Sequence, residues 1–250
     1  MTRTLLLGGT TEASRLARAL ADSNADAVFS YAGRTASPVV QPLPTRVGGF
    51  GGVEGLVRYL QDECITHVVD ATHPFAAQMS AHAVDACGQA GVDLAGFERA
   101  PWESSGGDKW FHVRDIASAV EVLPEEGARV FLAIGKQNLD AFSVKPANHY
   151  LLRLVDAPTG ALPLPDASVV VARGPFDVDT DTALMRDHAI THLVAKNAGG
   201  GGAEAKLTAA RSLGVPVVMI DRPNVPPRRI LRTVEQVMAW LGHSVDPSDA

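Results

Sequence analysis

Cysteine is almost absent: Cys64 and Cys87 are the only two in 250 residues. Two are too few for a disulfide framework, and no cysteine cluster has metal-ligand spacing. Both fall in segments that read as helix, so they are expected as partly buried thiols. Long apolar runs are lacking too. Nothing approaches the ~20 residues of a membrane span. The opening Leu5-Leu6-Leu7 is too short for a signal-peptide core and passes straight into a glycine turn. The expectation is a soluble, cytoplasmic protein that uses no membrane. Positive charge is in deficit, with 22 Lys and Arg against 28 Asp and Glu, a net charge of −6. Without a basic surplus or stripe, nucleic acid is not an expected partner. The eight histidines are scattered and H-E-x-x-H is missing, so no metal site is expected. The absence of G-x-S-x-G and G-x-x-x-x-G-K-[ST] removes support for hydrolase and P-loop kinase chemistry. No fixed-period repeat occurs.

What the chain has is an ordinary globular composition, 46% apolar and 20% charged, able to bury one large core or two modest ones. Its 23 glycines and 16 prolines punctuate apolar runs. Strand Thr4–Leu7 leads through Gly8-Gly9-Thr10-Thr11 into a helix from about Glu12 to Asp22, with Ala13, Leu16, Ala17 and Leu20 on one face. Strand Ala27–Tyr31, a helix through Leu56, Val57 and Leu60, strand His67–Ala71, a helix to about Ala90 and strand Leu94–Phe97 follow. After a break over residues 101–112 the rhythm restarts with strands Arg129–Ile134, Tyr150–Val155, Val169–Ala172, His192–Ala195 and Val217–Ile220. A helix over 203–213 and a closing helix over 230–241 complete it. Alternation of this kind predicts α/β architecture: two tandem Rossmann-like domains with parallel sheets and a ligand cleft between them. The boundaries read as 1–105 for a cofactor domain and 106–250 for a substrate domain. An element exchanged between the two sheets would escape a periodicity reading.

The first glycine turn is the sharpest local signal. Gly8 and Gly9 permit a tight turn and close approach of backbone to a phosphate, and the helix behind them presents amides and a positive dipole end. Thr10 and Thr11 are candidate hydroxyl donors. The competing reading is a purely structural strand–helix turn, since the glycines are adjacent and Ala13 stands where a third would be. At the end of the second strand stands Arg34, where dinucleotide folds choose their cofactor. An acid there would take a ribose 2′-hydroxyl, whereas an arginine accommodates a 2′-phosphate, which favours NADPH over NADH. Gly48-Gly49-Phe50-Gly51-Gly52 is either a flexible tip or a backbone laid against something flat, and Arg46 before it is a candidate to face an anion. Asp70-Ala71-Thr72-His73-Pro74 falls at a strand's carboxyl end, where polar residues face the ligand crevice. Thr72 is a candidate cofactor contact and His73 a candidate proton donor.

In the second half, Lys196-Asn197-Ala198-Gly199-Gly200 repeats the strand, glycine loop and helix logic with a cation and an amide. A cation beside a helix N-terminus suits a carboxylate. Arg99, Lys136, Arg173 and Arg222 also sit at or just after strand ends. Several such cations on one cleft would suit a polycarboxylate.

These stretches resemble the precorrin-6A reductases. Leu7-Gly8-Gly9-Thr10-Thr11-Glu12-Ala13, Arg46–Gly52, Asp70–Ala76, Lys196–Gly200, Lys206-Leu207 and Val217–Pro223 carry the resemblance across nearly the whole chain. Asp70–Ala76 and Lys196–Gly200 are the specific ones. The resemblance implies two Rossmann-like domains and NADPH-dependent reduction of a corrin-precursor tetrapyrrole in cobalamin synthesis. It implies hydride transfer to the macrocycle, and the proton that must also arrive there has His73, Lys196 or solvent as its candidate source. Gly51, Gly52, Arg173, Asn197, Gly199, Gly200 and Arg222 are the expected substrate contacts, and hand-over to neighbouring pathway enzymes is a further expectation. A cobalt-containing substrate, a non-catalytic NADPH sensor and a nucleotide-sugar transferase remain the alternatives.

Overall fold

The computed structural model describes residues 2–33 and 38–243. The chain forms two compact units, one made of the described residues up to Ala100 and from Asn224 onward, the other of Pro101–Pro223. The first unit opens with strand β1 (Arg3–Leu7), helix α1 (Thr11–Asp22), β2 (Asp26–Tyr31), β3 (Thr45–Val47), α2 (Gly52–Asp62), β4 (His67–Asp70), α3 (Ala77–Ala90) and β5 (Asp93–Phe97). Successive residues of a strand face opposite sides of the sheet. Leu5 and Leu7 therefore pack with Leu56 and Leu60 of α2 and Ala83 and Ala86 of α3. Leu6 packs the other way, with Leu16 and Leu20 of α1. Burial on both faces explains the unbroken apolar run.

The second unit contains β6 (Trp110–Val113), α4 (Ile116–Glu121), β7 (Glu126–Ala133), β8 (Ala147–Leu154), β9 (Ala167–Val171), α5 (Val178–Asp187), β10 (His192–Lys196), α6 (Ala205–Leu213) and β11 (Val217–Ile220). A short 3-10 helix, Asp140–Val144, follows β7. The chain then returns to the first unit with β12 (Arg229–Leu231) and α7 (Val234–Trp240). Val237 and Met238 of α7 join the core under α1.

Both sheets have six parallel strands, ordered β12-β5-β4-β1-β2-β3 and β6-β11-β10-β7-β8-β9. The first, read from β3, is the 3-2-1-4-5-6 order of the dinucleotide-binding fold. Its sixth place is filled by β12, which comes after the whole second unit. The sixth place of the other sheet is filled by β6, which directly follows the first unit's β5. Each sheet thus receives its last strand from the end of the other's run.

That exchange revises the sequence reading in three places. Residues 106–250 do not form one body, because residues from Asn224 return to the first unit. The break over 101–112 contains strand β6, which extends the second sheet through β11. The closing helix starts at Val234 instead of 230, since Arg229–Leu231 pairs with β5 and Thr233 caps the helix by accepting the Gln236 amide at 3.2 Å. Cys64 also departs from expectation. It lies beyond the end of α2 with φ 52 and is exposed. Cys87, on α3, is buried as expected, and burial pushes its thiol up to about 12.

Candidate active site

In the first sheet the strand order reverses between β1 and β4, and ligands of such folds bind outside the carboxyl ends of strands at that point. Gly8 and Gly9 end β1. A side chain at Gly8 would overlap the ring of Phe29, and Gly9 holds φ +125 with open space where a Cβ would stand. The chain then enters α1, whose opening amides, Thr11 and Glu12, have no intrahelical acceptor, as in the first turn of any helix.

The two threonines of the turn differ. Thr10 is the N-cap: its Oγ1 accepts the Ala13 amide at 3.1 Å and donates to the Ala71 carbonyl at 2.8 Å. A hydroxyl has one proton, so Thr10 ties α1 to the end of β4 and has no donor left for a phosphate. The expected donor role is thereby confined to exposed Thr11 and the backbone. Glu12, in the first turn, would repel an anion, but Arg99 Nη1 stands 2.6 Å from its Oε2.

At the end of β4, Asp70 is 2% exposed. Its Oδ1 accepts from the Thr72 hydroxyl at 2.7 Å and the Thr72 amide at 3.2 Å. Its Oδ2 lies 3.3 Å from Nη2 of Arg228, which also pairs with Glu98. Arg228 precedes β12, and sequence reasoning passed over it. The signal it left is Gly96, where a Cβ would come within 2.8 Å of the Arg228 Nε. Thr10, Glu12, Thr72, Pro74, Glu98 and Arg99 line a shallow crevice here. His73 is exposed, and its Nδ1 accepts the Phe75 amide at 3.2 Å, which leaves Nε2 as the protonated nitrogen of the neutral ring. Arg34 lies outside the described residues.

Arg46 sits on β3, a strand the sequence reading missed. Its guanidinium donates to the Ser30 hydroxyl at 2.8 Å and to the carbonyls of Gly48 and Gly49 at 2.9 and 3.2 Å, and lies 3.9 Å over the Phe50 ring. Burial lowers its pKa from the usual arginine value. Arg46 therefore ties the glycine segment to the end of β2, and Gly51 and Gly52 follow with left-handed φ of 84 and 86.

The second sheet reverses between β7 and β10. Lys196 ends β10 half-buried. The Asn197 carboxamide pairs with the backbone of Trp102: Oδ1 accepts the Trp102 amide at 2.8 Å and Nδ2 donates to the Trp102 carbonyl at 3.0 Å. The Trp102 indole donates to the Gly200 carbonyl at 3.0 Å. Arg222 donates to the carbonyls of Asn197 and Ala198, both at 3.0 Å, and Lys206 Nζ lies 4.8 Å from the Trp102 ring centroid. Asn197 and Arg222 thus build the loop that carries Gly199 and Gly200. Arg173, at the end of β9, is exposed.

A parallel sheet in dinucleotide order, with a glycine turn and a capped helix at its switch point, makes the first unit a Rossmann-like nucleotide fold. Among the described residues no helix is long and apolar enough to cross a membrane and no group of metal-binding side chains occurs. Residues 3–242 match the family model "Precorrin-6x reductase CbiJ/CobK". The chain belongs to that family. It is 67% identical to the precorrin-6A reductase of Rhodobacter capsulatus, over 99% of both chains. It is 47% identical to that of Rhodococcus erythropolis, over 97% of this chain and 98% of the other. The cobalt-precorrin-6A reductase of Priestia megaterium is 27% identical over 95% of this chain and 97% of the other. A solved structure titled "CobK precorrin-6A reductase" superposes with a TM-score of 0.93 at 66% identity, covering all of both chains. Membership of a reductase family with this fold implies a nicotinamide cofactor.

Proposed function

We propose that the chain reduces precorrin-6A to precorrin-6B with NADPH, in the cobalt-free branch of cobalamin synthesis in the cytoplasm. The observation that carries the reading is the Gly8-Gly9 turn at the switch point of the first sheet, in a chain that matches a reductase family over nearly its full length. The substrate choice rests on identity: 67% and 47% to relatives named for precorrin-6A, against 27% to the one named for the cobalt form.

Bound NADPH supplies the hydride. The protein's own tasks are to hold, orient and protonate. The opening amides and dipole of α1 receive the pyrophosphate, with Arg99 offsetting Glu12. Arg34 is assigned to the 2′-phosphate. Thr72 and His73 flank the nicotinamide half at the end of β4, and His73 would give up a proton from its imidazolium form, returning to the neutral ring. Lys196 is the second candidate for that proton. Lys196 and Arg173 meet substrate carboxylates, Gly199 and Gly200 offer backbone, and Asn197 and Arg222 keep the loop in shape. Gly51 and Gly52 are assigned to the flat macrocycle.

The test is turnover. Protein, NADPH and precorrin-6A are mixed and the absorbance of the reduced nicotinamide is followed. The expected result is loss of one NADPH per macrocycle, faster than with NADH or with cobalt-precorrin-6A. In Arg34→Ala the preference for NADPH over NADH should shrink by about tenfold, the size of a lost charge-assisted contact. NADPH binding without oxidation would instead identify a sensor.

A further inference from the structure

We propose that Arg228, Asp70 and Thr72 form a polarity-setting chain that turns the Thr72 hydroxyl into a pure hydrogen-bond acceptor, so that the crevice selects a ligand group bearing N–H donors. The inference rests on the cofactor reading above and names the group concerned, the primary carboxamide of the nicotinamide.

The argument starts from proton counting. A carboxylate can only accept. Asp70 Oδ1 therefore takes the one proton of Thr72 Oγ1, at 2.7 Å. What Thr72 then offers the crevice is lone pairs. The arrangement depends on Asp70 staying a carboxylate while 2% exposed. A buried charge needs a partner, and Arg228 provides it, 3.3 Å from Oδ2 with its own side chain 7% exposed. The guanidinium reaches that place because residue 96 is glycine: a Cβ there would lie 2.8 Å from Nε. Thr10 repeats the polarity, since its proton goes to the Ala71 carbonyl at 2.8 Å. Both threonine hydroxyls lining the crevice are thus turned with their protons toward the protein.

Dinucleotide folds divide the ligand between two halves about the switch point. With the 2′-phosphate assigned beside β2, the nicotinamide half falls on the β4–β5 side, where Thr72 stands. A carboxamide N–H2 satisfies an acceptor there, and an acetyl group, which has no donor, leaves it facing a second acceptor.

The probes are NADP+ and its 3-acetylpyridine analogue, compared by equilibrium binding to the full-length protein. Wild type should prefer NADP+ by about five- to tenfold, the usual scale for one hydrogen bond with an acceptor left unmet. Thr72→Val should reduce that preference to about twofold or less, and Thr72→Ser should restore it. Arg228→Gln should reduce it as well without abolishing NADP+ binding. Should Arg228→Gln fail to fold, the two Thr72 variants still decide the matter. Equal wild-type binding of the two dinucleotides, or a preference that survives Thr72→Val, would overturn the inference and leave the cofactor reading intact. Failure of wild type to bind either one would overturn both.

Discussion

The two sheets share one strand order, but their switch points are built differently. In the first unit β1 turns through Gly8-Gly9 directly into α1, a twelve-residue helix whose cap is in place. In the second, β7 is followed by a five-residue 3-10 helix, Asp140–Val144. Its short, irregular turn gives no comparable array of amides aimed at the switch point. The loop after β10 is instead drawn around Trp102 by Asn197 and Arg222. Strand order alone therefore does not make a nucleotide site. The first strand–helix turn does, and only one of the two units has it. The second unit offers a braced loop with cations around it, which suits a carboxylate ligand better than a pyrophosphate.

The strongest way to break this contrast is to unbrace the loop. Asn197→Leu leaves the Trp102 amide and carbonyl without their partners in a buried place, at ~1–3 kcal/mol each, or about 2–6 kcal/mol in all. Thermal or urea unfolding should show that loss in the second unit, while NADPH affinity, measured below the transition, stays within about twofold. A large loss of NADPH affinity would mean that the Asn197 loop serves the cofactor and that the contrast is false.

The next effect is expected at Gly9. Valine at φ +125 is strained by about 1–3 kcal/mol and places a branched side chain in the open space assigned to the pyrophosphate. The NADPH dissociation constant from a fluorescence titration should rise at least about tenfold, with the second unit's unfolding unchanged. A Gly9→Val protein that binds NADPH normally would remove the turn from the cofactor site.

Much of this was legible before the fold was. Nine of the twelve described strands announced themselves as apolar runs, because strands buried on both faces have no polar alternation to blur them. Gly8-Gly9 and the end of β4 could be placed at the switch point for the same reason. The others escaped: β3 and β12 are three residues long, each with an arginine, and β6 carries two aromatics and a histidine. Their pairing is supplied by neighbours distant in sequence, which periodicity does not see. The exchange of the sixth strands was hidden on that account, and Arg228 with it. Side-chain direction was hidden as well. The residue types at Thr10, Arg46 and Asn197 announced polar contacts, but only geometry shows that those contacts are with the protein itself.

Thr10 gives the smallest effect and the finest discrimination. A phosphate-binding hydroxyl and a capping hydroxyl look alike in sequence, and they differ in where the proton goes. Here it goes to the Ala71 carbonyl at 2.8 Å, while the oxygen receives the Ala13 amide at 3.1 Å. Thr10→Val removes both bonds and should lower stability by about 1–2 kcal/mol, the usual range for a lost cap. Thr10→Ser keeps both and should be nearly neutral. NADPH affinity should change less than about threefold in either variant, since no ligand bond is lost and only the helix end loosens. Calorimetry and binding measured on the same samples separate the cases. A fall in affinity of more than about tenfold with an unshifted melting curve would show that the hydroxyl donates to the cofactor, and the first unit's turn would then recognise phosphate with a side chain as well as with its backbone.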